Sequence, residues 1–133
     1  MNPGEPAFVP FERIGGEAAV LALTERFYDA MDATEPELAA LHPLEQGKVS
    51  RASRDRFGLF LIGWLGGPQE YMRLHGHPRL RMRHAHVPVD ERMRDAWLRC
   101  MAIALDDASI DAELRAFLKQ RFAELADFLR NQA

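Results

Sequence analysis

Four segments of this chain space their apolar residues at steps of three and four, and none sustains the two-residue alternation that a sheet requires. Between Gly16 and Met31 the stripe is Val20, Leu23, Phe27 and Met31, with Thr24 and Tyr28 on its flank. From about Ser50 to Leu65 it is Phe57, Phe60, Leu61, Trp64 and Leu65, opposed by Arg51, Arg54, Asp55 and Arg56. Gly66-Gly67-Pro68 ends this helix, since two permissive residues and a ring without an N–H cannot extend it. A third stripe, Met93, Trp97, Cys100, Met101 and Ala104, begins behind Asp90 as N-cap and stops at Asp106-Asp107. The last, Leu114, Phe117, Leu118, Phe122, Leu125, Phe128 and Leu129, follows Ser109 or Asp111 as cap. Only Arg79 to Arg83 alternates at all, so the expected fold class is all-α. With no repeat and no Gly/Ser linker, residues 1–133 read as a single domain, 1–10 forming an N-terminal extension.

Composition removes several functions. One cysteine cannot make an internal disulfide or a four-thiolate zinc site, and 20 acids against 17 bases is a poor footprint for a nucleic-acid binder. No apolar run approaches the ~18 residues of a membrane span. The start, Met1 to Pro10, holds three prolines where a signal peptide needs a basic and then an apolar stretch. The expectation is a cytoplasmic chain with neither nucleic acid nor membrane as partner.

The segment from Gly66 to Val89 stands apart. It contains Gly66, Gly67, Pro68, Gly76, Pro78 and Pro88, and connections of that length are usually functional or disordered. Tyr71, Met72, Leu74, Leu80, Met82 and Val87 supply apolar anchors that argue for order. Between Tyr71 and Val89 there is no acidic residue, while Arg73, Arg79, Arg81 and Arg83 are fixed cations suited to carboxylate or phosphate. A solvated basic loop paired with acids elsewhere is the alternative. Four of the five histidines, His75, His77, His84 and His86, crowd into this segment, and His42 stands alone. Pairs two apart share a face only on a strand, and the segment offers zinc no Cys, Asp or Glu as third ligand. A haem iron asks for one proximal imidazole, an apolar slot, cations for two propionates and polar groups on the distal side, and the chain has residues of all these kinds.

Phe27-Tyr28, Gly66-Gly67-Pro68, His75-Gly76-His77-Pro78, Leu80-Arg81-Met82-Arg83-His84 and Asp95-Ala96-Trp97-Leu98-Arg99-Cys100-Met101, in this order and at these separations, resemble the group II (O-type) truncated haemoglobins. The resemblance runs from about Ala7 into the last helix. It implies a two-over-two helical sandwich around haem b (iron protoporphyrin IX), with the proximal iron ligand at His84 and His75 and His77 in a loop. It further implies a distal pocket lined by Tyr28, Trp97 and His42, with Ser53 and Phe57 on the helix facing the ligand. Ser53, small where ordinary globins carry a histidine, leaves an opening toward solvent.

Phenol O–H, indole N–H and imidazole N–H are all donors, each worth roughly 1.5–3 kcal/mol to a ligand that draws negative charge onto itself. That favours tight dioxygen binding, oxidation of nitric oxide, or peroxide activation over bulk oxygen transport. Arg56, Tyr71 and Arg83 are the candidates for the propionates, with Arg79 or Arg81 as substitutes. Phe57, Phe60, Leu61, Val87, Met93 and Met101 are haem walls under this reading and plain core otherwise. A haem-based gas sensor and a cofactor-free helical module docking an acidic partner stay open as alternatives, as do a reductase partner and the choice between monomer and homodimer.

Overall fold

The computed structural model describes residues 8–79 and 89–130. Its elements in chain order are α1 (Pro10–Ile14), α2 (Glu17–Thr34), α3 (Pro36–Ala39), the two-residue strands β1 (Leu44–Glu45) and β2 (Lys48–Val49), α4 (Arg51–Trp64), α5 (Glu70–His75), α6 (Glu91–Asp107) and α7 (Ala112–Leu129). The four long helices are those the periodicity predicts. Three of them start on side-chain caps, which satisfy amide hydrogens that have no partner in the first turn. Ser50 Oγ accepts from Ser53 N at 3.1 Å, Asp90 from Met93 N at 2.8 Å, and Asp111, not Ser109, from Leu114 N at 2.8 Å. Asp111 also accepts from Nε and Nη2 on one edge of the Arg13 guanidinium, which ties α1 to the head of α7.

Helix α2 packs on α4, and α6 packs on α7; the crossing of α2 on α6 joins the pairs. The fully buried side chains Leu23, Phe27 and Met31 of α2, Leu61 of α4, Cys100, Met101 and Leu105 of α6, and Leu114, Leu118 and Phe122 of α7 fill the space between them. No helix among the described residues is long and apolar enough to cross a membrane.

Three details depart from the periodicity. A hairpin joins α3 to α4, with Leu44 opposite Val49 and Glu45 opposite Lys48, turning through Gln46 and Gly47 at positive φ. A turn with both central residues in that region suits the twist of a two-strand ribbon, and Gln-Gly is a weaker signal for it than Asn-Gly. The Gly66–Val89 stretch contains α5, of whose apolar residues only Tyr71 is buried, while Met72 and Leu74 are exposed. Arg54 does not belong to a solvated face: it is 6% exposed beneath α2.

The reason for that burial is the spacing of α2's acids. Glu25, Asp29 and Asp32 follow one another at four and three residues, so they share the face above Arg54. Arg54 donates to Glu25 at 3.0 Å, to Asp29 at 2.8 Å and to Asp32 at 2.6 Å, and its Nε reaches the Val49 carbonyl at 3.0 Å. Burial works against the charge, but the bonds to Asp29 and Glu25 outweigh it and hold the guanidinium's pKa above its ordinary value. Asp32 accepts in addition from Val49 N at 3.1 Å, so the same cluster anchors the hairpin.

Candidate functional site

Between the two helix pairs lies a cavity of about 210 Å³ lined by Tyr28, His42, Ser53, Arg56, Phe57, Phe60, Tyr71, Trp97, Leu125 and Leu129. Each wall comes from a different element. Helix α2 contributes Tyr28, α4 contributes Ser53, Arg56, Phe57 and Phe60 along one face, α5 Tyr71, α6 Trp97, and α7 Leu125 and Leu129. His42 enters from the turn after α3.

Aromatic rings hold the polar groups in place. Phe27, fully buried, sits edge-on to Tyr28 with centroids 4.9 Å apart and to Trp97 at 5.1 Å. Phe57 meets Tyr28 at 5.8 Å and Trp97 at 6.2 Å. Phe122 backs Trp97 at 5.9 Å, and Tyr71 stands edge-on to Phe60 at 5.9 Å. The Arg54 guanidinium carbon lies 5.6 Å from the Tyr28 ring centre, a cation against the electron-rich face. Rings packed at such separations fix rotamers, so the phenol oxygen has a set position and the indole N–H a set direction.

Among the described residues, neither the Tyr28 hydroxyl nor the Trp97 indole N–H makes a hydrogen bond within the protein, and neither is a sealed, unsatisfied buried atom. Burial drives the Tyr28 phenol well above its ordinary pKa, with the Arg54 charge opposing only in part, so the group is a neutral O–H. His42 is half-buried; its Nδ1 lies 3.0 Å from the Leu38 carbonyl oxygen, and its ring stands edge-on to Tyr28 at 5.8 Å. Ser53 Oγ accepts from Ser50 Oγ at 3.1 Å and has no bulk with which to close the cavity.

The cations divide by pairing. Arg73 is tied to Glu70 one helical turn away at 2.6 Å and does not line the cavity. Arg56 is exposed, lines the cavity and has no ion pair among the described residues. Arg79 is exposed at a left-handed φ of 47°, its N–H donating to His77 Nδ1 at 3.1 Å. His75 closes α5 with its ring 5.0 Å from Tyr71.

Of the residues singled out in the sequence, eight line the cavity together: Tyr28, His42, Ser53, Arg56, Phe57, Phe60, Tyr71 and Trp97. Leu61, Met93 and Met101 lie in the buried core outside that lining. Arg81, Arg83, His84 and Val87 lie outside the described residues. Leu125 and Leu129 were readable only as members of the α7 stripe, because a cavity wall and a core face carry the same period. Cys100, fully buried, has its thiol pushed up to about 11 by burial, and a protonated thiol there is inert filler.

The family description "Bacterial-like globin" matches residues 10–131. The "Group 2 truncated hemoglobin YjbI" of Bacillus subtilis is 36% identical over 129 residues, covering 97% of this chain and 93% of its own. Among solved structures, the cold-adapted truncated haemoglobin of Pseudoalteromonas haloplanktis is 42% identical with a TM-score of 0.87, over 95% of this chain and 100% of its own. The group II 2-on-2 haemoglobin of Agrobacterium tumefaciens is 37% identical with a TM-score of 0.86, over 98% and 99%.

Proposed function

Because this chain belongs to the bacterial-like globin family, as a group II truncated haemoglobin with the two-on-two fold, it binds ligands through haem, and we propose that His84 is the proximal ligand of a haem b whose distal side faces Tyr28, His42 and Trp97. The single observation that supports this most is the cavity itself, which gathers residues from six parts of the chain into one largely apolar slot that also holds polar groups and a cation.

The residues present fit the group. A macrocycle that is apolar in its body and anionic at one edge needs flat apolar walls, which Phe57, Phe60, Leu125 and Leu129 form, and an unneutralised cation with a hydroxyl, which Arg56 and Tyr71 provide. Arg83, Arg79 or Arg81 completes the propionate contacts, and Val87 the proximal wall. When bound, haem supplies an iron with a position open to dioxygen or another diatomic ligand.

This chain's own residues then set the ligand's environment. Tyr28 is a neutral O–H and Trp97 a donor only, and both are immobilised by Phe27, Phe57 and Phe122. Preorganised donors cost no reorganisation when a ligand arrives, so they favour the charge-drawing ligand over a neutral one. Tight dioxygen binding, with nitric-oxide or peroxide chemistry supported by a cytoplasmic reductase, is the functional reading. Ser53 leaves the path by which ligands enter.

Titration of the purified protein with hemin is expected to give a stoichiometric Soret band that His84→Ala abolishes or shifts to a different ligation type. No band, or one indifferent to His84→Ala, overturns the assignment.

A further inference from the structure

The chain has two tryptophans and two tyrosines, and three of those four rings, Tyr28, Tyr71 and Trp97, line the cavity. The fourth, Trp64, does not; it ends α4, half-buried and partly open to solvent. Indoles and phenols are the side-chain rings that give up an electron most readily, so the place of this fourth ring relative to the others matters. On each of two sides a single phenylalanine connects it to the cavity. Phe122, fully buried, has its ring centre 5.0 Å from that of Trp64 and 5.9 Å from that of Trp97. Phe60 is stacked on Trp64 at 6.5 Å and stands 5.9 Å from Tyr71. An unbroken run of ring contacts therefore leads from the cavity to one oxidisable ring at the surface. Close ring contact favours electron exchange, and the burial of Phe122 keeps away water that would have to reorganise around a moving charge.

We propose that Trp64 is a surface oxidation site, at which phenolic molecules too large to enter the cavity deliver electrons to its interior. The proposal rests on the peroxide reading above, which supplies the oxidant. Reduction of one hydrogen peroxide to two waters takes two electrons and two protons. Two phenols supply them, each losing one electron and one proton beside Trp64 and leaving as a phenoxyl radical. The electron fills the vacancy on the Trp64 indole, which has passed its own electron by way of Phe122 to Trp97, and solvent carries the proton. The cavity is about 210 Å³ and is given over to haem and a small ligand, so a bulky donor meets the protein only from outside. There the open part of an indole offers a flat apolar surface on which another aromatic ring stacks.

The test mixes the haem-loaded ferric protein with hydrogen peroxide and a nitroso spin trap, and locates the adduct by peptide mapping. The trap is expected on Trp64; adducts confined to Tyr28, Tyr71, Trp97 or Cys100 overturn the proposal. With a phenol tethered to a soluble polymer as donor, Trp64→Phe is expected to slow its oxidation by about tenfold or more. Trp64→Tyr is expected to preserve it, because a phenol side chain is oxidisable and a phenyl one is not. The two replacements fill the indole's place almost equally, so equal rates in both variants mean that the ring serves packing only and overturn the proposal. Failures of the underlying readings are separate: a missing Soret band overturns the haem assignment. A normal Soret band that peroxide leaves unchanged overturns the peroxide reading and this proposal with it.

Discussion

Replacing Arg54 with methionine is the perturbation that the packing makes most quantitative. The guanidinium makes four bonds, and they are not of equal worth. The side chains of Glu25 and Asp29 are 37% and 70% exposed and regain water when the cation leaves, so each contributes no more than a surface pair, ~0–1 kcal/mol. Asp32 is 12% exposed and bonded at 2.6 Å, and the Val49 carbonyl belongs to a buried residue. Losing a charge-assisted bond to a largely desolvated carboxylate costs ~2–3 kcal/mol, and an orphaned carbonyl ~1. Apolar packing of the methionine returns a fraction, leaving about 3 kcal/mol. For 133 residues the unfolding entropy near the midpoint is ~0.28 kcal/mol per kelvin, so Tm falls by about 10 °C. Thermal unfolding of the haem-loaded protein, followed by far-ultraviolet circular dichroism, reads this directly. Adding Asp32→Asn to Arg54→Met removes the stranded charge and is expected to recover about half the loss, as expected when both members of a buried pair are removed. A drop below about 3 °C, or a double variant no more stable than Arg54→Met, would refute the reasoning that the Asp32 bond dominates.

Tyr28→Phe and Trp97→Phe are each expected to speed dioxygen release by about tenfold or more, the worth of one charge-assisted bond, as measured by stopped-flow displacement with carbon monoxide. Gly67→Ala should cost ~1–3 kcal/mol, visible as a lower urea midpoint, because a Cβ there would stand 2.7 Å from the Phe11 ring that packs the start of α1 onto the end of α4. The Leu114 N–H and then Arg13 hold the Asp111 carboxyl below its ordinary pKa. Its stabilising effect is therefore complete above the ordinary carboxylate value and is lost as pH falls through the depressed one. Asp111→Asn should accordingly flatten the fall in stability below about pH 4, seen in urea midpoints taken across an acid series.

The long helices were legible from their period, and in three of the four a cap agrees with it: Ser50, Asp90 and Asp111 stand directly before the stripes they start. Arg54 was not. On α4 it follows the solvent-facing period, and its burial depends on Glu25, Asp29 and Asp32, about 25 residues earlier on another helix. No local pattern reports a partner at that distance. The hairpin escaped for a related reason, since two-residue strands are too short to show alternation and their anchor is again the Asp32 side chain. Tyr28, His42 and Trp97 are a different case. Their convergence on one cavity was suggested by ordered resemblance and not by periodicity, which marks Trp97 only as one more member of the α6 stripe.

The cations around the cavity show why pairing, more than count, points to an anion's place. The acid-free run after Tyr71 suggests that Arg73 and Arg79 are equivalent, yet Arg73 is neutralised by Glu70, which lies just outside that run and one helical turn before it. On α4, Arg51, Arg54 and Arg56 lie within six residues. Arg51 is paired with Glu25 and Asp55, Arg54 with α2's acids, and Arg56 alone of the three faces the cavity without an ion pair among the described residues. An unpaired guanidinium keeps its full field and both its donor edges for an incoming carboxylate, with no existing bond to break first. The α2 acids thus have two effects from one arrangement: they bury Arg54 behind the Tyr28 ring, and by satisfying Arg51 and Arg54 they leave Arg56 as the cation of α4 available at the rim where a propionate would lie.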